Sequence, residues 1–297
     1  MAESRSLWNA MLGAEVVYRD AAGIRTRCLE AGAGPVLFLL HGTGGHLECW
    51  AHNVRELSRH FRVVAPDFVG HGLSDKPTDL AYVVSDYTAH LRALMDSMAV
   101  ERAHFAGISL GAWVASWLAL ESPERVDRIV NCTGGVFRWP EGQEQAEAHE
   151  RQAMVRTNNA LSTVTRESVR RRLHSLFHDP AMCTEELVEL RLELYSLPGV
   201  PELLPALHNM IPYDSDARRR FALTQERLAR IQAPVLYLWG EFNPGGSVRS
   251  AQRAADVTPD GELHVIPGAG HWPQWERPDE FDRHTVDHLT RTPVRTP

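Results

Sequence analysis

A chain of 297 residues, 43% hydrophobic and 23% charged, is long enough to bury a sizeable core and too apolar to be a disordered segment. Its formal net charge of -7 comes without a Lys/Arg stripe, which argues against nucleic acid or an anionic membrane as a partner. No run approaches the ~18 apolar residues of a spanning helix, the opening "MAESRSLWNAMLGAE" lacks the apolar centre of a secretory signal, and Cys28, Cys49, Cys132 and Cys183 form no CxxC pair, so reduced thiols and a cytoplasmic location are expected.

The first segments, "EVVYRD" and "IRTRCLEAG", read as a hairpin at a sheet edge. "VLFLLHG" (36–42) is a continuous apolar run stopped by glycine, the pattern of a buried strand. "HFRVVAPDFVGHG" (60–72) holds a second strand that runs into a Pro/Gly loop. "SDYTAHLRALMDSM" (85–98) has helical spacing at Tyr87, Leu91, Leu94, Met95 and Met98, with Ser85 as its expected N-cap. "AHFAG" (103–107) and "RIVNCT" (128–133) are two further strands. Strands alternating with helices imply parallel pairing through right-handed crossovers.

The texture changes from about Val136 to Thr224, where Glu, Arg, Leu and Ala dominate and no strand is evident. "PEGQEQAEAHERQAMV", "TRESVRRRLHSLF" and "TEELVELRLELY" (184–195) all read as helices. Strand rhythm returns with "PVLYLWG" (234–240) and "ELHVIPG" (262–268), and a last helix covers roughly 278–290. The expected architecture is α/β: a mostly parallel sheet of about eight strands built from 1–135 and 226–297, with a helical cap inserted at 136–225. No internal repeat and no low-complexity linker interrupts it.

Gly107-Ile108-Ser109-Leu110-Gly111 sits between a strand and a Trp- and Ala-rich helix. A strand turning that sharply leaves no room for side chains beside the turn and lifts the central hydroxyl out of the sheet. The first free N–H groups of the helix then point at whatever the hydroxyl attacks. Ser109 is therefore the candidate nucleophile of a nucleophile elbow. The alternative is a glycine-flanked βα loop with an N-capping serine.

Its candidate base is His271, in the Gly-rich loop after the last strand, "HVIPGAGHWPQWERPDEF" (264–281). His41 is a rival, although a His-Gly at that place more often shapes the loop of an oxyanion hole. The backbone N–H groups of Thr43 and Leu110 are the expected oxyanion donors.

Fifteen histidines raise the question of metal. His284/His288 and His174/His178 are each four apart, but neither pair carries the HExxH glutamate and no third ligand is evident, so solvated helix faces are the expected reading and no metal is assigned. No dinucleotide fingerprint or P-loop implies an organic cofactor, and the oligomeric state, a homo-oligomer included, is left open.

These residues resemble the α/β-hydrolase fold family over nearly the whole chain: the HG loop at 41–45, "DFVGHGLSDKP" at 67–77, the elbow, the cap and the final histidine. Within that family the chain is most similar to meta-cleavage-product hydrolases, which split a carbon–carbon bond in 2-hydroxy-6-oxo-dienoates from aromatic ring fission. "GHWPQWE" places Trp272 beside the base and Trp275 near it, and "EELVELRLELY" places Arg191 where the family's carboxylate-binding cap arginine would be. The resemblance implies a small carboxylate-bearing ketone as substrate, with Gly42, Ile108 and Trp272 beside it. An esterase or lactonase of the same fold, and a binding protein, lyase or cyclase with a weakened triad, are the alternatives.

The sequence departs from that family at three places. Ile108 stands where the family has Asn, "HGTGGH" lacks a Gly-Pro-Gly run, and the position of the triad aspartate holds Asn243. Three readings follow: Asn243 orients His271, Glu241 bends in as the acid, or neither does and the triad is degenerate.

Overall fold

The computed structural model describes residues 6–139, 164–210, 212 and 215–291. The helix expected over 140–155 lies outside them.

Eight strands form one sheet in the order β1-β2-β4-β3-β5-β6-β9-β10. They are β1 (Glu15–Ala21), β2 (Ile24–Ala31), β3 (Val36–Leu40), β4 (Arg62–Pro66), β5 (Ala103–Ile108), β6 (Val126–Cys132), β9 (Val235–Gly240) and β10 (Gly261–Ile266). The β1–β2 hairpin is antiparallel, β2 also pairs antiparallel with β4, and every later neighbour is parallel. Parallel strands are covered on both faces, which explains why "VLFLL" and "VLYLWG" read as unbroken apolar runs rather than alternations. Leu37 to Leu40 and Val235 to Gly240 are accordingly buried.

The helix Val84–Ser97 buries Val84, Tyr87, Thr88, Leu91, Leu94 and Met95, one stripe at helical spacing. It begins two residues earlier than a Ser85 cap implies, with Val83 at the cap position. Asp86 instead reaches back, its Oδ2 accepting from the N–H of Val83 at 3.0 Å. The four cysteines are buried free thiols.

The region between β6 and β9 is helical, with helices Arg166–His174, Glu185–Tyr195, Val200–Leu207 and Asp216–Phe221 among the described residues. Contrary to the strand-free reading, its two ends carry a short parallel pair, β7 (Phe137–Arg138) and β8 (Leu223–Thr224). This pair clasps the chain where it leaves the core to where it returns. The helix after the elbow, Leu110–Glu121, anchors the same point: Trp113 and Trp117 both donate their indole N–H to the Phe221 carbonyl at 2.7 Å. Two tryptophans four apart share one helix face, which accounts for the Trp-rich composition of that segment.

Candidate active site

Ser109 occupies the first bend after β5 with φ 53° and ψ -113°, a left-handed conformation that a non-glycine residue adopts only at a cost of roughly 1–3 kcal/mol. Surrounding contacts hold it there: its N–H donates to the Cys132 carbonyl and its carbonyl accepts from Trp113 N–H, both at 3.1 Å. The two flanking glycines are needed for close approach. A Cβ on Gly107 would collide with the backbone of Gly111 and Ala112, and one on Gly111 with the Leu40 carbonyl. Backbone cannot step aside as a flexible side chain can, so only glycine fits at either place.

Ser109 lines a cavity between sheet and cap together with Gly42, Thr43, Leu110, His271 and Trp272. Leu110 opens its helix, so its N–H has no acceptor within the helix. Ile108, by contrast, is fully buried in β5 and is not part of the cavity wall. The side chain before the serine packs in the core rather than on this cavity.

The loop carrying Thr43 is held by a buried network. Arg27 on β2 pairs with Glu48 through two bonds, at 3.0 and 2.9 Å, and with Asp67 at 2.6 Å. His46 Nδ1 bonds Glu48 at 2.8 Å, and Asp67 accepts from the N–H groups of Leu47 and Leu73 at 2.8 and 2.9 Å. Burial pushes the Glu48 carboxyl up, but its bond to His46 and the charge of Arg27 hold it down at about 2. Asp67 belongs to the "DFVGHGLSDKP" stretch, whereas the contributions of Arg27 and Glu48 carry no local motif and were not legible in the sequence.

His41 is part of that scaffold. Phe68 N–H donates to its Nε2 at 3.0 Å, so the proton sits on Nδ1, which donates to the Gly42 carbonyl at 2.8 Å. Both ring nitrogens are engaged by backbone, which removes His41 as a rival base.

His271 is fixed at three points. Its N–H donates to the Leu176 carbonyl of the cap at 2.7 Å, its carbonyl accepts from Thr133 Oγ1 at 2.7 Å, and its Nδ1 lies 2.7 Å from Asn243 Oδ1. Burial, with the positive charge of Arg172 adding to it, lowers its pKa to about 3, so the ring is neutral. Glu276 ties the same loop to the cap, accepting from Gly270 N–H at 2.7 Å and from His178 and Asp179 N–H at 2.8 and 3.1 Å.

The orientation of Asn243 follows from its other bonds. Its Nδ2 donates to the Gly246 carbonyl at 3.2 Å, and its Oδ1 also accepts from Gly245 N–H at 3.1 Å. The face toward His271 is therefore the carbonyl, and His271 Nδ1 must be the protonated nitrogen. Nε2 keeps its lone pair, the tautomer a general base needs. Glu241 is not brought to His271: it is exposed, and its Oε2 accepts from Gly268 N–H at 3.1 Å.

Arg191 is 1% exposed, yet its Nε and Nη2 find no hydrogen-bond partner. It is not in the cavity wall; its guanidinium carbon lies 5.4 Å from the centre of the Trp272 ring, and Trp272 does line the cavity. The sequence missed Arg172 and Arg218, which line the cavity directly. Arg172 lies in the helix Arg166–His174 within "VRRRL", a run of arginines that gives no hint of which one turns inward.

The histidine pairs separate. His178 lies beyond its helix and stacks on Phe242 at 3.9 Å. His288 is buried, while His284 meets His264 and Glu280, three ligand atoms within 4.8 Å of one another. His264 comes from β10 and Glu280 from the helix of His284, and His288 of the sequence pair is not among them. These donors are already engaged, His264 Nε2 with Glu280 and His284 Nε2 with Arg283, both at 3.0 Å.

The described residues contain no helix long and apolar enough to cross a membrane. A 2-hydroxy-6-oxo-2,4-heptadienoate hydrolase of Pseudomonas putida is 29% identical over 290 residues, 95% of this chain and 97% of that protein. A 2-hydroxymuconate semialdehyde hydrolase of a Pseudomonas species is 30% identical over 287 residues, 94% of either chain. Among solved structures, a meta-cleavage product hydrolase of Pseudomonas fluorescens superposes with a TM-score of 0.79 at 28% identity, over 92% of this chain and 97% of that one. The family model described as the alpha/beta hydrolase fold matches residues 35–278. The chain belongs to the α/β-hydrolase fold family and is a hydrolase related to enzymes that cleave carbon–carbon bonds.

Proposed function

We propose that this hydrolase cleaves a carbon–carbon bond in a small, carboxylate-bearing vinylogous diketone of the ring-fission type. The observation that carries the reading is the cavity that Ser109, His271, Thr43, Leu110 and Trp272 share beneath the cap, with Asn243 holding His271 in the base tautomer. Relatives across almost the whole chain that are named as dienoate and semialdehyde hydrolases support it.

In this reading His271 Nε2 first accepts the proton of the substrate's enol hydroxyl and returns it to the dienoate carbon, which gives the ketone. Ser109, or a water it aligns, then adds to the remote carbonyl and gives its proton to His271 Nε2. The oxyanion is bound by the N–H groups of Thr43 and Leu110; one such donor is typically worth ~2.7–4 kcal/mol. Collapse breaks the carbon–carbon bond as His271 returns that proton to the departing enolate, giving the enol; the other fragment is the acid itself after water addition, or an acyl-Ser109 ester that a second water, deprotonated by His271, hydrolyses to the acid. Arg191 lies behind Trp272 with its guanidinium buried and, among the described residues, unpaired, so its positive charge favours a carboxylate on the Trp272 side of the cavity without touching it. Trp272 is the surface between them.

An esterase or lactonase is the second reading, favoured by the position of Arg191 outside the cavity wall. The test follows loss of the dienoate chromophore beside a p-nitrophenyl ester panel. Turnover of the dienoate that is lost in Ser109→Ala and weakened in Arg191→Ala is expected. Ester turnover alone, indifferent to Arg191→Ala, selects the esterase.

A further inference from the structure

The loop that bears Thr43 is bonded to the cap as well as to the core. Tyr195 ends the cap helix Glu185–Tyr195, is 5% exposed, and donates its hydroxyl to the Gly44 carbonyl at 2.8 Å. That carbonyl and the N–H of Gly45 are the two ends of one planar peptide unit, and Gly45 N–H donates to the Gly42 carbonyl at 2.9 Å. The Gly42 carbonyl and the N–H of Thr43 are in turn the two ends of another. A trans peptide turns its N–H away from its carbonyl, so a donor that holds the Gly42 carbonyl aims Thr43 N–H the opposite way. Thr43 lines the cavity with Ser109.

One line of hydrogen bonds thus runs from the Tyr195 hydroxyl through two rigid planes to the expected oxyanion donor. Such chains polarise their members, by about 10–30% per bond. The two glycines of "TGGH" make the approaches possible: a Cβ on Gly44, where φ is 63°, would collide with the Tyr195 hydroxyl, and one on Gly45 would crowd the Gly42 carbonyl. A proline at 45 would have no N–H for the middle link. His41 Nδ1 also donates to the Gly42 carbonyl, at 2.8 Å, so the line has a second support there.

We propose that Tyr195 is a positioning residue of the oxyanion hole, acting on Thr43 N–H through the Gly44–Gly45 and Gly42–Thr43 peptides. The cap then supports both halves of the chemistry, the base loop through the Leu176 carbonyl and the oxyanion loop through Tyr195. This rests on the roles given above to Ser109, His271 and Thr43, and not on which bond the enzyme cleaves.

The experiment uses fluorine NMR to measure binding of phenethyl trifluoromethyl ketone. Ser109 Oγ adds to its carbonyl carbon, the hydroxyl proton passes to His271, and the carbonyl π pair becomes an oxyanion in the hole. Wild type, Tyr195→Phe and Tyr195→para-aminophenylalanine are compared, the last keeping an N–H donor at the same place. Ser109→Ala gives the non-covalent part of the affinity. Tyr237→Phe controls for the loss of a buried tyrosine bond as such, because Tyr237 bonds Thr258 Oγ1 at 2.8 Å outside the cavity wall.

A whole oxyanion donor is worth about 10²–10³, and His41 still holds the Gly42 carbonyl, so adduct affinity should fall by at least about tenfold in Tyr195→Phe. The hemiketal hydroxyl should ionise at higher pH in that variant, and the para-amino residue should restore most of the affinity. Tyr237→Phe should melt earlier yet bind the ketone as the wild type does. Affinity within about twofold of wild type in Tyr195→Phe, an equal loss in Tyr237→Phe, or no recovery with the para-amino residue overturns the assignment. An adduct absent from the wild type itself overturns the serine and oxyanion roles beneath it, whereas a wild-type adduct that Tyr195→Phe leaves unchanged overturns Tyr195 alone.

Discussion

Asn243 presents its carbonyl, not its amino group, to His271 Nδ1 at 2.7 Å, because its Nδ2 is already donated to Gly246. The amide thus performs half of the usual acid's task. It fixes the tautomer and the ring plane, but it brings no negative charge to an imidazolium. In a serine protease where the same change also leaves the wrong tautomer, the loss is ~10⁴.

Replacing Asn243 by Asp should therefore raise the rate for any substrate whose transition state protonates His271. The expected gain is roughly 10- to 1000-fold, smaller than that ~10⁴ because the tautomer here is already correct. Asn243→Leu should lower kcat instead. Glu241→Gln should leave kcat/KM within about twofold, since Glu241 faces Gly268 and not the base. Steady-state kinetics on the three variants checks the set. A large loss in Glu241→Gln with none in Asn243→Leu would reverse the assignment.

The pH dependence follows from burial. The pKa of His271 lies at about 3 against an ordinary value near 6.5, so the folded protein keeps its base form through the whole mildly acidic range. The profile of kcat/KM should show no acid limb near pH 6.5. Removing the charge of Arg172, or adding one with Asn243→Asp, should move such a limb upward.

The same burial makes the fold acid-sensitive. His41, His208 and His271 are depressed to about 3, and His90 and His288 to about 4, each chiefly by desolvation. The unfolded chain binds protons at these sites near pH 6.5 while the folded one does not, so stability is complete above that pH and falls as pH drops toward the folded values. Urea midpoints between pH 7 and 4 should decline steeply, with proton uptake on unfolding. Flat midpoints over that range would contradict the burial of these rings.

Glu48 acts lower on the scale. Its carboxyl is held at about 2, below an unfolded value near 4.5, so its contribution is present above pH 4.5 and is lost between there and 2. Glu48→Gln weakens the bonds to Arg27 and His46 but leaves Arg27 paired with Asp67, so it should cost about 1–3 kcal/mol with a matching fall in Tm. Activity at low temperature should fall too, because the loop bearing Thr43 loses its anchor.

Gly107→Ala and Gly111→Ala should each destabilise by at least about 3 kcal/mol or prevent folding, because the added carbon meets backbone that cannot yield. Chemical denaturation measures it; a neutral result would mean that the elbow is looser than described.

Much of this molecule is legible in its sequence. Unbroken apolar runs at 36–40 and 235–240 read as buried strands, and the glycines at 107 and 111 bracketed a serine where a strand becomes a helix. Such signals are local, because periodicity and turn chemistry depend on neighbours in the chain. Which amide face Asn243 turns to His271 depends on Gly246, and which arginine of "VRRRL" enters the cavity depends on how the cap lies over the sheet. Local pattern thus determined the strands, the elbow and the order of the candidate residues. Only the tertiary structure decided the tautomer, the exclusion of His41 and Glu241, and the inward turn of Arg172, because hydrogen bonds and desolvation arise between segments that only folding brings together.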